Sequence, residues 1–222
     1  MSVQTSTGRR PIKARETRGA QALARWLTRA GACPNQISLL SIVFAGLAGL
    51  CLILSRSGAD AGRIALLLAA ALLIQLRLLA NLLDGMVAIE GGLRTSAGEV
   101  VNEFPDRLSD VVILVCAGYS VTAVEWGPTL GWAAAVLAVL TAYVRALGAS
   151  LGTAQYFCGP MAKPQRMAAT TLACLLSGVE IIRGWPPLAM PVALGVIMAG
   201  SMMTVSRRII AIATELEGDR RC

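Results

Sequence analysis

Asn81 and Asp84 stand three residues apart, and Asn102, Asp106 and Asp110 follow at intervals of four. In helices those spacings place each set on one face. Oxygen atoms converging from two helical faces suit a hard divalent cation such as Mg2+ or Mn2+, whose shell is commonly completed by phosphate oxygens of a substrate. Glu99 and Glu103 add carboxylates at the same level, and Gly85 and Gly98 remove side chains where a ligand could approach the backbone. The chain has no histidine, which excludes histidine bases, zinc–histidine sites and Ser-His-Asp triads. A carboxylate is then the natural proton acceptor for any group transfer. The plainer alternative is a structural ion-pair network in which Arg77 or Arg107 faces Asp106 or Asp110. Acids and amides outnumber the nearby bases, however, and glycines flank them, which favours a ligand site.

The elements that must position these residues are apolar. Of 222 residues, 55% are hydrophobic and 15% charged, against about 25% charged in a typical soluble domain. Apolar runs of roughly twenty residues, the length that crosses a bilayer, recur along the chain. The expected fold is all-α: a polytopic membrane protein with six transmembrane helices, at residues 37–55, 64–89, 98–122, 129–151, 167–182 and 187–205. These form one domain, 34–206. Before it, residues 1–33 form a basic arm and an amphipathic juxtamembrane helix, in which Ala20, Leu23, Ala24, Trp26 and Leu27 alternate with Arg18, Arg25 and Arg29 until Pro34 and Asn35 end it. That pattern suits the headgroup layer of an anionic leaflet. Residues 207–222 are a cytoplasmic tail.

The polar set occupies the second half of the second span and the first half of the third. The short loop between them makes the two antiparallel, so their oxygen-bearing faces can meet. An ionisable group inside a span costs about 2.5–3.5 kcal/mol on insertion scales unless it is paired or hydrated. Concentrating several in one place calls for a function.

The net charge of +7 is explained by topology. With the N-terminus inside, fourteen Lys and Arg fall on cytoplasmic segments and three (Arg56, Arg63, Arg183) on the opposite face, while Arg77, Arg107 and Arg145 lie within spans. Both termini and the polar cluster are therefore expected at the cytoplasmic side of an integral membrane protein. No cleaved signal peptide is expected, because no short apolar segment with a cleavage site follows the N-terminal charges. Aromatic residues are too few for a nucleic-acid stacking surface, and six cysteines without a CxxC pair read as small apolar residues. Trp26, Trp126, Trp132 and Trp185 fall near predicted interfaces, Arg207 and Arg208 read as interfacial anchors, and Gly46/Gly49 and Gly195/Gly200 read as close-packing pairs. Arg145, inside the fourth span, and Lys163 and Arg166, in the loop before the fifth, make a second basic set on the cytoplasmic side.

The run Asn81-x-x-Asp84-Gly85-x-x-Ala88-Ile89, eight residues, Gly98-x-x-x-Asn102-x-x-x-Asp106 resembles the signature of the CDP-alcohol phosphatidyltransferases. That signature is Asp-x-x-Asp-Gly-x-x-Ala-Arg, eight residues, Gly-x-x-x-Asp-x-x-x-Asp, and every spacing is kept over 26 residues. The Pro34-Asn35-Gln36-Ile37-Ser38 run and the six-span layout are similar to the family as well. The resemblance implies transfer of a phosphatidyl-type group from a CDP-linked lipid to an alcohol, with release of CMP, in phospholipid biosynthesis. It implies Mg2+ or Mn2+, one or two ions, held by Asn81, Asp84, Asn102 and Asp106, with Asp106 as general base. The donor nucleotide is implied to lie on Asn81, Asp84, Gly85, Ala88 and Gly98. Arg145, Lys163 and Arg166 are implied to bind a phosphate on the acceptor, a phosphorylated polyol such as glycerol 3-phosphate or an inositol phosphate. A homodimer is implied too.

Asn81 and Asn102 replace aspartates of the signature and Ile89 replaces its arginine. Two formal negative charges are missing, so weaker metal binding is expected, with one ion an alternative to two. Glu103 or Asp110 are candidates to compensate, and Arg94 or Arg107 to replace the arginine. The alternative function is a catalytically inactive member that binds nucleotide or lipid. A transporter fits less well, since the acids lie near one membrane face and transport sites sit near the midplane.

Overall fold

The computed structural model describes residues 17–31, 33–90 and 96–218, with only the helical backbone of residues 18, 90 and 96–102. The basic arm through residue 16, Arg94, the side chains of Glu99 and Asn102, the surroundings of Gly98 and the last four residues lie outside the described residues. Seven helices are described: α1 (Arg18–Arg29), α2 (Pro34–Leu54), α3 (Asp60–Glu90), α4 (Ser96–Ser120), α5 (Gly127–Ser150), α6 (Lys163–Arg183) and α7 (Ala189–Gly218). Four of them, α2, α3, α5 and α7, are long and apolar enough to cross a membrane. Helices α4 and α6 have 25 and 21 residues but carry the charges, Asp106, Arg107 and Asp110 in one, Lys163, Arg166, Glu180 and Arg183 in the other. Each expected span thus has a helix in its place.

Three boundaries differ from expectation. Pro34 opens α2 instead of merely ending α1, because a proline in the first turn forfeits no helical hydrogen bond. By the same logic Pro164 lets α6 begin at Lys163, so Lys163 and Arg166 belong to a helix, not to the loop the sequence predicts. Helix α7 continues past residue 205 to Gly218, and residues 207–218 are therefore helical.

Helix α2 packs against α3 and α4, α3 against α6, α4 against α5, and α7 against α5 and α6, while α1 lies on α3. Among the described residues helices α3 and α4 touch only sparsely. Elsewhere the core is tight and built of small residues, among them Ala45, Ala48, Ala70, Ala117, Ala134 and Ala138. A Cβ at Gly131 would lie 2.7 Å from the Leu114 carbonyl oxygen, and one at Gly118 would lie 2.6 Å from the Gly131 Cα. The backbones of α4 and α5 are therefore in contact, a packing mode that suits helices in lipid. Of the glycine pairs singled out in the sequence, Gly49 and Gly200 abut Cys116 and Met161, but Gly46 and Gly195 face open space.

The outside is apolar: Leu39, Val43, Leu47 and Leu50 on α2, and Val192 and Val196 on α7, are exposed. All four tryptophans are exposed as well. Helix α1 buries Ala24 against Ala80, Leu83, Met86 and Val87 of α3 and leaves Trp26 exposed. The five described cysteines are free thiols.

Candidate functional site

Alternating helix direction brings the start of α2, the end of α3, the first half of α4, the end of α5, the start of α6 and the later half of α7 to one end of the bundle. Among the described residues, the buried charged side chains are Arg77, Asp84, Asp106, Asp110, Arg166 and Arg208. All belong to those segments.

Asp106 is the centre. Asn81 of α3 donates from Nδ2 to Asp106 Oδ1. One turn deeper, Arg77 Nη2 donates to the Asp106 carbonyl oxygen at 2.9 Å and to Asp110 Oδ1 at 2.9 Å, and lies 3.4 Å from Asp106 Oδ1. Pairing 81 with 106 and 77 with 110 is an antiparallel register, as the short loop requires. From α6, Lys163 Nζ donates to Asp106 Oδ2 at 2.5 Å. Asp84, 1% exposed, accepts from Ser38 Oγ of α2 at 2.7 Å. Asn81 of α3 thus meets Asp106 of α4, and the Arg77 guanidinium enters the same interface one turn deeper.

The ion-pair network exists too, beneath that contact. Asp110 Oδ1 is held by Arg77 and Oδ2 by Arg166 Nη2 at 2.7 Å. Arg166 Nη1 also donates to Thr141 Oγ1 at 3.1 Å and to the Met161 carbonyl at 3.2 Å. Both oxygens of Asp110 are engaged by guanidiniums, so it does not replace a missing ligand charge. Nor does Glu103, whose Oε1 pairs with Arg145 at 2.6 Å and Oε2 with Arg107 at 3.0 Å. Of the basic set expected to face an acceptor, Arg166 is 1% exposed and turned inward to Asp110. Lys163 and Arg145 are partly open, with about a fifth of each side chain exposed. Arg145 lies 5.5 Å above the Phe157 ring.

Arg208 is not an interfacial anchor. Because α7 continues, its guanidinium is inside the bundle, where Nε donates to the Cys158 carbonyl at 3.1 Å and Nη1 to the Thr141 carbonyl. Arg207 stays exposed. Together with Glu215, Arg208 straps the segment between α5 and α6 to α7. Glu215 accepts from the Ala154 amide at 3.2 Å and from the Tyr156 hydroxyl at 2.6 Å, and this carboxylate pushes the Tyr156 phenol above its ordinary pKa. The Met161 amide donates to Thr204 Oγ1 at 3.0 Å. The strap fixes the start of α6, and with it Lys163.

Asn81 Oδ1 is buried with no hydrogen-bond partner among the described residues. An orphaned carbonyl oxygen three residues before a buried carboxylate suits one hard cation. Among the described residues no three acidic or thiol groups converge tightly enough to hold a metal by themselves, so such an ion needs the amide oxygen and substrate oxygens. Gly85 is buried and Ala88 half-buried beside Asp84, while Ile89 is exposed. Ser38 was not singled out as a site residue, although it closes the Pro34–Ser38 run that carried part of the resemblance.

No family model matches the chain. An uncharacterised protein of Aquifex aeolicus (strain VF5) is 26% identical over 202 residues, 90% of this chain and 92% of that one. Among solved structures, phosphatidylinositol phosphate synthase of Mycobacterium tuberculosis in complex with manganese and citrate matches with a TM-score of 0.69 and 22% identity, over 88% of this chain and 89% of that chain. The same enzyme with CDP-DAG bound matches with a TM-score of 0.70 and 24% identity, over 89% and 95% of the two chains. The likeness spans nearly the whole of both proteins and establishes a shared fold.

Proposed function

We propose that this chain is an integral membrane phosphotransferase of the CDP-alcohol phosphatidyltransferase kind, moving a phosphatidyl-type group from a CDP-linked lipid to an alcohol and releasing CMP. In this reading α2 to α7 are the six spans, α1 lies in the headgroup layer, and both termini and the site face the cytoplasm. The observation that carries it is the Asp106 carboxylate, buried where the oxygen faces of α3 and α4 meet and bridged to Asn81. Fold likeness to an enzyme solved with CDP-DAG supports the donor class.

Among the described residues Asp106 Oδ2 has one donor, Lys163, and a carboxylate oxygen accepts two. It can therefore take the proton of an incoming hydroxyl as that oxygen attacks the lipid-side phosphorus and the bond to CMP breaks. Asp84 and Asn81 Oδ1 would hold a divalent ion, Mg2+ or Mn2+, with Asn102 adding an oxygen by position. When bound, the ion neutralises the donor diphosphate and stabilises departing CMP. Gly85, Ala88 and Gly98 keep the helix surfaces low for the nucleotide. Arg145 and Lys163, at the open edge, attract an anionic acceptor such as a phosphorylated polyol, and the buried Arg166 supports them through Asp110.

Purified protein supplied with CDP-diacylglycerol, Mg2+ or Mn2+ and a panel of alcohols that includes glycerol 3-phosphate and inositol phosphates is expected to release CMP. A chelator is expected to stop it. One observation favours a second reading, a catalytically inactive relative that binds the nucleotide or lipid: among the described residues both oxygens of Asp106 already accept from the protein, Oδ1 from Asn81 and Oδ2 from Lys163. CDP-diacylglycerol binding without CMP release from any alcohol would establish that reading instead.

A further inference from the structure

Two acids of α4 each hold a pair of arginines, and they do so in opposite ways. Asp110 is closed off: its side chain and those of Arg77 and Arg166 are at most 1% exposed. Glu103 is open. Its side chain is 49% exposed, and those of its partners Arg107 and Arg145 are 23% and 20% exposed. Among the described residues each guanidinium reaches Glu103 through Nη2 alone, a single contact where a guanidinium–carboxylate fork would use two. Ion pairs this exposed are weak, because water screens them and long side chains must be held still to form them. Asp110 is a fixture, and Glu103 can leave.

Its place gives that freedom a use. Glu103 stands one turn of α4 before Asp106, so Arg145, which comes from α5, is held close to the carboxylate that takes the proton in the proposed reaction. Arg145 also has a support independent of Glu103. Its guanidinium carbon lies 5.5 Å from the centre of the Phe157 ring, a cation–π contact, and the neighbouring Tyr156 straps that segment to Glu215 of α7. The arginine therefore keeps its position when the carboxylate moves away. Two guanidiniums on one carboxylate leave one positive charge over among the described residues. A phosphate monoester, with a charge of about −1.5 to −2 and three acceptor oxygens, satisfies both guanidiniums better than the carboxylate does.

We infer that Glu103 is an internal occupant of the acceptor's phosphate position: its carboxylate rests between Arg107 and Arg145 in the unliganded protein, and the phosphate of a phosphorylated polyol displaces it. The inference rests on the transferase reading for the identity of the acceptor edge, and adds to it a residue that sets how strongly an acceptor must bind. Glu103 is thus a competitor built into the chain, not a ligand for the acceptor.

The test is the sign of one change. Binding of glycerol 3-phosphate and of inositol monophosphate is measured by titration calorimetry on full-length protein in detergent, in the presence of CDP, for wild type, Glu103→Gln and Glu103→Ala. Glycerol and inositol serve as uncharged controls. Both variants are expected to bind a phosphorylated polyol about two- to thirty-fold more tightly than wild type, the range set by losing two exposed ion pairs, with the controls unmoved. A carboxylate that positions the arginines for the ligand gives the opposite sign, and one that merely lies on the surface gives no change. Either result would overturn the inference, as would binding that survives Arg145→Gln undiminished, or no binding by any of the proteins. If one Glu103 variant fails to fold, the other decides. CMP release from CDP-diacylglycerol, measured on the same samples, separates the two claims. Tighter binding by the variants without CMP release to any alcohol would remove the transferase reading and leave the assignment of Glu103 standing. CMP release with unchanged or weaker binding by the variants would do the reverse.

Discussion

At the residue scale the molecule divides its acids by partner. Asp106 is held by the Lys163 ammonium and Asp84 by the Ser38 hydroxyl, each from another helix. Asp110, one turn below Asp106, is clamped between Arg77 and Arg166 and is 1% exposed. Removing one partner of a buried pair leaves a charge unmatched, which costs about 3–5 kcal/mol. Asp110→Ala leaves the buried Arg166 without its carboxylate and Arg77 with Asp106 alone, so it is expected to lower the thermal unfolding midpoint in detergent far more than Glu103→Ala, whose carboxylate is half-exposed. The spacing of Asn81, Asp84 and Asp106 was legible in the sequence because it repeats the helical period. The partition between Asp106 and Asp110 was not, because period alone places both on one face. What separates them is where Arg77 and Arg166 arrive, and Arg166 comes from a helix whose start the sequence misplaced.

At the scale of elements, the site depends on two contacts of opposite kind. Helices α3 and α4 are joined by polar side chains, while α4 and α5 touch through Gly118, Gly127 and Gly131. That second contact sets the position of α4, and so of Asp106, relative to Thr141 and Arg145 on α5. A Cβ at Gly131 would meet backbone atoms of Leu114 and Gly118, which cannot rotate away. Gly131→Val is therefore expected to destabilise by about 1–3 kcal/mol or more, read as a lower unfolding midpoint, whereas Gly46→Val, in open space, should be neutral. The sequence pointed to Gly46, Gly49, Gly195 and Gly200 on spacing; Gly49 and Gly200 are packed against neighbours, Gly46 and Gly195 are not, and the α4–α5 contact uses other glycines. Small-residue spacing marks a helix face that could accept a neighbour without saying which neighbour is there. The extents of α6 and α7 were misjudged for a related reason: Lys163, Arg166 and Arg208 were read as polar ends, although each finds an internal partner that lets its helix continue.

At the scale of the whole molecule, apolar residues face outward and charges gather at one internal end, the arrangement expected when lipid is the solvent. The all-helical fold and the order of its helices were readable from hydropathy alone, because each apolar run is long enough to stand as its own helix. The start of α6 was not readable that way, because Lys163 and Arg166 stand before its apolar run. This arrangement, a carboxylate beside a lysine at one end of a bundle with an apolar outside, is what the proposed meeting of a nucleotide-activated lipid with a soluble alcohol would need.

The most direct measurement of that claim is single-turnover CMP release from CDP-diacylglycerol by wild type and Asp106→Asn, with donor binding measured in parallel. The account predicts that release falls by about 100- to 10,000-fold, the range expected on losing a general base, while donor binding changes little. Equal rates in the two proteins would contradict it.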